Sequence, residues 1–450
     1  MKKTITLKKG LNLNLKGAVA AGQADVKTVT AASVAITPDD FPGFTPKLEV
    51  APGDAVKAGQ GLVHDKTCEA IKLVSPVDGT VTEVVRGKRR KIERIVIAPT
   101  SGSQADCLKV GTQVESLKIG TTDVKKALME SGLWALMRQR PYDIVPDAEK
   151  IPRDIFVTAM DTAPMAVEFD YHGKEKLLEA GVKALASLTA GKVYIGADAT
   201  TDFPEIAGAE VVGFNHLHPA GNAGVQAEAI KPVNKGETIW TLSAETLCHI
   251  GEMMTTGKVD YSTLCAVTGS EVEHPMIVKT VMGADVKSIL AGNLKKADYH
   301  QRIISGNVLT GVPLGEEGYL RFPYTQITVI PEGDEAGEFM GWASVSPSKM
   351  SESTSFPGHF LHRAFAPDAR LNGGHRAMIM SGIYDKYMPM DIMPEYLIKA
   401  ILSRDIDKME ALGIYEVAPE DFALAEYADP SKLELQKIVR EGLDYMRKEA

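Results

Sequence analysis

Trp134, Arg138, Arg140, Pro141 and Tyr142 gather an indole and two guanidinium groups into one short stretch. An indole face stacks on planar rings and an arginine donor meets a carbonyl oxygen. The group therefore suits a planar ligand with a polar head, such as a quinone. The same residue types equally suit a core in which Trp134 is buried and the arginines are solvated or ion-paired. A second pointed stretch is His216-Leu217-His218-Pro219-Ala220-Gly221-Asn222-Ala223-Gly224. Two imidazoles are half of a metal site, but no carboxylate or third histidine follows at ligand spacing. No metal is assigned, and His218 marks a shaped structural or interface loop. Phe356, in Ser355-Phe356-Pro357-Gly358-His359-Phe360, and the turn Asn372-Gly373-Gly374-His375 suit packing between domains as well as they suit catalysis.

No phosphate-binding loop, dinucleotide glycine fingerprint, zinc-protease helix or nucleophile elbow is present. After the apolar run at 155–160 the chain reads Asp161-Thr162-Ala163-Pro164-Met165-Ala166. Pro164 removes an amide donor and side chains fill the approach a phosphate would need, so a nucleotide site there is not expected. Cysteines stand at 68, 107, 248 and 265 with no Cys-x-x-Cys pair, which frames neither an iron–sulfur nor a zinc site and indicates a reducing compartment. A net charge of −9 and 6% aromatic residues argue against nucleic acid. One basic run, Arg86-Gly87-Lys88-Arg89-Arg90-Lys91, reads as a solvated hairpin turn or as an edge facing acidic loops or anionic lipid heads. No run of about 18 apolar residues exists to span a bilayer.

These groups must be carried by several domains, because 450 residues exceed what one core usually supports. Residues 1–115 read as strand and turn behind an extended arm at 5–15, followed by a polar connector at 100–122. Residues 116–257 alternate strands and helices, implying a parallel or mixed sheet. A helix from Thr122-Asp123 is expected to run through Trp134 to Arg138. Another is expected over 174–190 with Gly191 as its C-cap, and a third between a Ser243 cap and Gly257. Residues 258–335 suggest a compact β-grasp-like module with one short helix at 285–291. Residues 336–450 are a connecting segment and a helical domain, whose last helix opens on a Ser431-x-x-Glu434 capping box.

Between 50 and 81, Gly53-Asp54 and Val77-Asp78-Gly79-Thr80-Val81 supply turns, and Val56, Leu62, Val63, Val74, Val77 and Val81 supply inward faces. This stretch resembles the barrel-sandwich hybrid of biotinyl and lipoyl carriers. Asp65-Lys66-Thr67 comes near the lipoyl triplet but sits too early in the hairpin centred on Cys68-Glu69-Ala70, so a docking or structural module without a swinging arm is expected. The wider chain is similar to one family, the NqrA subunits of the Na+-translocating NADH:quinone reductase. The resemblance rests on Ile5-Thr6-Leu7-Lys8-Lys9-Gly10-Leu11-Asn12-Leu13, Ser131-Gly132-Leu133-Trp134 with Arg140-Pro141, and Phe156-Val157-Thr158-Ala159-Met160-Asp161-Thr162. His218-Pro219-Ala220-Gly221, Ile304-Ser305-Gly306-Asn307-Val308-Leu309-Thr310-Gly311, Phe339-Met340-Gly341-Trp342 and Met388-Pro389-Met390-Asp391-Ile392 extend it in order.

That resemblance implies an α+β multidomain peripheral subunit on the cytoplasmic face of a bacterial inner membrane. It would belong to a six-subunit respiratory-chain translocase that oxidises NADH, reduces ubiquinone-type quinone and exports Na+. The α/β domain would be a degenerate relative of flavin- and NADH-binding subunits. Flavins and the iron–sulfur centre would sit in partner subunits, with the membrane subunit NqrB as chief contact and quinone as a possible ligand. Trp134, Arg138, Arg140, Pro141, His218 and Phe356 are the residues placed at a quinone or subunit interface. The alternatives are a free-standing scaffold protein with a non-acylated carrier-like docking domain and, more remotely, a carrier protein of a carboxylase or dehydrogenase.

Overall fold

The structure, a computed structural model, describes residues 3–20, 26–100, 121–315, 317–334 and 341–449. The polar connector with Cys107, and Phe339-Met340, lie outside the described residues.

The N-terminal arm is shared out between modules. β1 (Lys3–Ile5) and β2 (Val26–Thr28) leave the first module to join two other sheets as parallel edge strands. The first module itself is a pair of small facing sheets. One is β3 (Val34–Ile36), β5 (Ala55–Val56), β8 (Gly79–Arg86) and β9 (Ile92–Pro99). The other is β4 (Pro46–Leu48), β6 (Gly61–Asp65) and β7 (Lys72–Val74). The six apolar residues expected to face inward are all buried. Gly53 takes φ +96°, which the turn requires and a side chain resists.

α1 (Thr121–Glu130) stops well short of Arg138, correcting the sequence expectation. Gly132 at φ +74° ends the helical path, residues 133–136 form a single 3₁₀ turn, and β10 (Arg138–Arg140) follows. β10 pairs antiparallel with β14 (Ile239–Ser243), so sheet pairing outcompetes helix propensity there. β11 (Ile155–Thr158), α2 (Glu175–Ala186), β12 (Val193–Asp198), β13 (Ala209–Phe214), α3 (Ala223–Ile230), β14 and α4 (Ala244–Thr256) build a six-stranded sheet in the order β1-β13-β12-β11-β14-β10. Ser243 caps α4 through Thr246 N–H, and Gly257 closes it at φ +69°, as expected. α2 ends sooner than expected, on Ser187. Gly191 instead permits a close approach, since a Cβ there would lie 2.1 Å from Arg153 O. α2 and α4 cross with almost touching backbones, because a Cβ on Gly251 would sit 1.9 Å from Leu177 O.

The sheet of the third module comprises β15 (Ser262–Thr268), β16 (Met276–Val281), β17 (Gln301–Ser305), β18 (Val312–Leu314) and β19 (Gln326–Pro331), with α5 (Val286–Leu290) capped by Asp285. Its order is β18-β17-β19-β15-β16-β2. The last module holds α6 (Pro394–Ser403), α7 (Ile406–Ala411), α8 (Ala423–Ala428) and α9 (Leu435–Glu449). Val225 of α3 sits in this helical core and joins it to the α/β module. Leu435, Val439, Gly442, Leu443 and Met446 face inward as expected, but the Ser431 capping box does not form. Ser431 donates to Ala377 O, Asp429 accepts Ser431 and Leu433 N–H, and Glu426 accepts Gln436 N–H in the first turn of α9. One first-turn amide, Gln436 N–H, is thus satisfied by Glu426 of the preceding helix, while Leu435 N–H turns back to Leu433 O. Among the described residues no helix is long and apolar enough to cross a membrane.

Candidate functional site

In the order β13-β12-β11-β14 the chain departs from β11 to both sides, so the crevice at the carboxyl ends of β11 and its neighbours is where such sheets bind ligands. The N-terminal arm roofs that crevice. Leu7 N–H donates to Asn215 Oδ1 (2.7 Å), Leu11 N–H to His218 O (2.9 Å), His218 N–H to Asn12 Oδ1 (2.7 Å) and Asn12 Nδ2 to His216 O (2.8 Å). Between arm and loops lies a cleft of about 390 Å³ lined by Asn12–Asn14, 161–166 and His216.

His216 Nδ1 sits 2.8 Å from Asp198 Oδ2 and 3.2 Å from Glu168 Oε1 at this rim. Asp198 Oδ1 accepts both Thr200 N–H and Thr200 Oγ1 at 2.7 Å. Burial pushes the Asp198 carboxyl up, but the Thr200 donors and His216 outweigh it and hold the group below its ordinary range. Glu168 has no such donors among the described residues. Burial, reinforced by Asp198 and Asp161 against His216, lifts it to about 7. The ligand atoms of Glu168, Asp198 and His216 lie within 4.8 Å of one another, a set able to hold a divalent metal. A ring N–H shared between two carboxylates accounts for the same distances without one.

His218, two residues on, is buried, and burial followed by the nearby His216 lowers its pKa to about 4. Its ring is therefore neutral at pH 7. Thr162 Oγ1 accepts Gly221 N–H (2.9 Å) and shares a hydrogen bond with His218 Nδ1 (3.1 Å), which ties the ring to the loop after β11. The ring's Nε2 has no partner among the described residues.

Of the other residues singled out in the sequence, Trp134 lies inside the α/β module, and Arg138 and Arg140 sit at joints between modules. Trp134 is fully buried, donates Nε1–H to Pro146 O (2.8 Å) and meets Trp240 edge-on at 5.0 Å. Arg138 lies 4.9 Å over the Phe322 ring and donates to Asp40 O (2.8 Å), bridging the first and third modules; burial lowers its pKa. Arg140, 1% exposed, donates to Asp421 Oδ2 (3.0 Å), Glu416 O (3.0 Å) and Glu420 Oε1 (3.2 Å) in the helical module. Burial opposes its charge, but Asp421, Asp143 and Glu420 more than compensate and raise its pKa. Pro141 is buried beside it, and Phe356 is buried in a separate segment that reaches the arm through the Leu15–Phe365 bridge. Arg140 and the His218 loop do converge, because Asn222 Nδ2 donates to Asp421 Oδ1 (3.2 Å). Glu168 and Asp198 are not among the residues the sequence singles out. The available signal was an aspartate closing a strand that runs parallel to the one before His216.

The fold and cleft thus define an α+β protein of linked modules, with a parallel-sheet crevice that lacks a glycine-rich phosphate turn. Residues 5–100 match the family described as the NqrA N-terminal barrel-sandwich hybrid domain, 119–259 the NqrA second alpha/beta domain, and 264–314 the NQRA C-terminal domain. The chain is 35% identical to the NqrA subunit of the Na+-translocating NADH-quinone reductase of Pasteurella multocida, over 99% of this chain and all of that one. It is 35% identical to the same subunit from Neisseria meningitidis and 34% to that of Serratia proteamaculans, at the same coverage. A solved NAD+-reducing NiFe-hydrogenase is similar over 52% of each chain at 13% identity and a TM-score of 0.35, too weak a likeness to carry an argument. The chain belongs to the NqrA family, subunits of Na+-translocating NADH-quinone reductases.

Proposed function

We propose that this chain is a peripheral subunit of a Na+-translocating NADH:quinone reductase, on the cytoplasmic face of the membrane and near the quinone-reducing end. The observation that carries this is the end-to-end similarity, with all three family segments in order. The geometry supports a subunit without a redox group of its own. The crevice after β11 offers Pro164 and side chains where a flavin or dinucleotide phosphate needs free amides. Of the described thiols, Cys248 is pushed up to about 12 and Cys265 higher still, both by burial, which disfavours thiolate ligation. Lys66 lies on the exposed turn after β6, before the hairpin returns at Ile71, and is not expected to be acylated.

In this reading Trp134, Arg138, Arg140, Pro141, His218 and Phe356 hold the modules so that the complex-facing surface, toward the membrane subunit NqrB and quinone, keeps its shape. The barrel-sandwich module serves docking, and residues 258–335 serve as a β-grasp-like support. The test is purification of the tagged chain from solubilised membranes. Five companion subunits and Na+-stimulated NADH:quinone reductase activity should come with it. Recovery of the chain alone would sink the assignment. Absorbance between 400 and 500 nm in the isolated chain would overturn the cofactor-free part alone.

A further inference from the structure

The β8–β9 hairpin carries a feature that subunit membership does not explain. β5 pairs with β8 only at Gly79 and Thr80, and β3 pairs with β9 only at Ile95–Ile97. Past Val81, whose backbone still bonds Gly53 and Asp54, the two strands pair only with each other among the described residues and extend as a ribbon to the tip at 87–91. Arg86, Lys88, Arg89, Arg90 and Lys91 are all exposed there. Lys91 is paired with Asp39 (2.7 Å), and Glu93 folds over Gly87. Arg86 reaches only Arg90 O (3.0 Å), and no carboxylate pairs with Lys88, Arg89 or Arg90 among the described residues. The tip is strongly positive on a chain whose net charge is −9.

Arg89 and Arg90 also adopt φ +57° and +61°, a left-handed conformation in which glycine is the low-cost residue. The turn keeps two arginines against the preference of its backbone. Residues 86–91 include no aromatic anchor, which separates the tip from the surfaces proteins use to recognise one shaped partner. Long, unpaired cations on a projecting convex turn instead match a continuous anionic plane.

We infer that the 86–91 tip binds the anionic headgroup surface of a lipid bilayer, giving the subunit a contact with the membrane independent of its protein partners. This rests on the reading of the chain as a membrane-peripheral subunit, but its test uses the full chain alone. The chain is incubated with vesicles of phosphatidylcholine mixed with phosphatidylglycerol, or of phosphatidylcholine only, and bound protein is measured by sedimentation. Wild type should bind only the anionic vesicles and release them at about 0.5 M salt, where screening is nearly complete. Each basic side chain near an anionic bilayer is worth about fivefold in partition, so the combined R86Q/K88Q/R89Q/R90Q change should weaken binding by about 600-fold. The R86K/R89K/R90K variant should retain it, and both variants should melt like wild type. Absence of wild-type binding, or equal binding by the glutamine variant, would overturn the inference. Binding to polyglutamate without binding to vesicles would also overturn it, in favour of an acidic polypeptide. None of these outcomes touches the co-purification that tests subunit membership.

Discussion

Replacing Arg140 by methionine should unfasten the helical module from the α/β module while leaving the rest of the chain folded. Arg140 donates three hydrogen bonds into that module, and its partner Asp421 has a fully buried side chain. Without the guanidinium, Asp421 keeps only neutral donors, Ala418 N–H (2.8 Å) and Asn222 Nδ2 (3.2 Å). Removing one member of a buried ion pair costs about 3–5 kcal/mol, because the remaining charge is stranded. Glu420 adds little, since its part-exposed side chain can turn to water. The double change Arg140→Met with Asp421→Asn removes the stranded charge and should recover about half of the loss, on the order of 2 kcal/mol. A chain of this size need not unfold in one step, so the readout is hydrogen exchange in α6–α9 against exchange in β11–β13. Unchanged protection of α6–α9 in the single variant, or a double variant as labile as the single, would refute the argument.

His218, held at about 4 in the fold against an ordinary 6.5, is unprotonated where the unfolded chain already binds a proton. Its contribution is complete above about pH 6.5 and is lost as pH falls toward 4, at most about 3 kcal/mol for this shift. His218→Gln should flatten the denaturation midpoint over that window, and an unchanged acid slope would count against it. Glu168 has the opposite sign, since its folded pKa of about 7 exceeds the unfolded 4.5. Stability attached to it is present below about 4.5 and drains away as pH rises to 7, so Glu168→Gln should gain on wild type progressively between pH 5 and 7.5. Parallel pH curves for the two proteins would refute this. Gly251→Ala should destabilise by about 1–3 kcal/mol in thermal melts, despite better helix propensity, because the new methyl meets the Leu177 carbonyl.

Local rules explain what can be read from sequence alone. α4 is bounded correctly because both its signals are side-chain chemistry within one turn, a serine accepting from Thr246 N–H and a glycine free to take φ +69°. The inward valines of the first module are legible because alternation is fixed by the pleat. The Trp134 stretch is not. Its helical composition ends at Gly132, and the residues beyond it are taken by an edge position on a sheet whose other strand lies about a hundred residues away.

The candidate site escapes the sequence for a related reason. Glu168 and His216 come after β11 and β13 and Asp198 closes β12, and parallel pairing of these strands brings the three to one rim. Searching downstream of His216 for a carboxylate cannot succeed, because the carboxylates precede it. Arg140 shows the same limit in energetic terms. From sequence its guanidinium is as consistent with a ligand as with an ion pair, and its anion lies 281 positions away. Once that anion is placed, the choice is constrained by electrostatics. A guanidinium 1% exposed commits its terminal nitrogens to Asp421, Glu420 and Glu416 O, and the Nε it leaves without a partner among the described residues is buried away from the cleft lining. Any quinone contact by this chain is then better sought at the His218 loop and cleft rim, where Nε2 of a buried imidazole has no partner among the described residues and Thr162, bonded to that ring, lines the cleft.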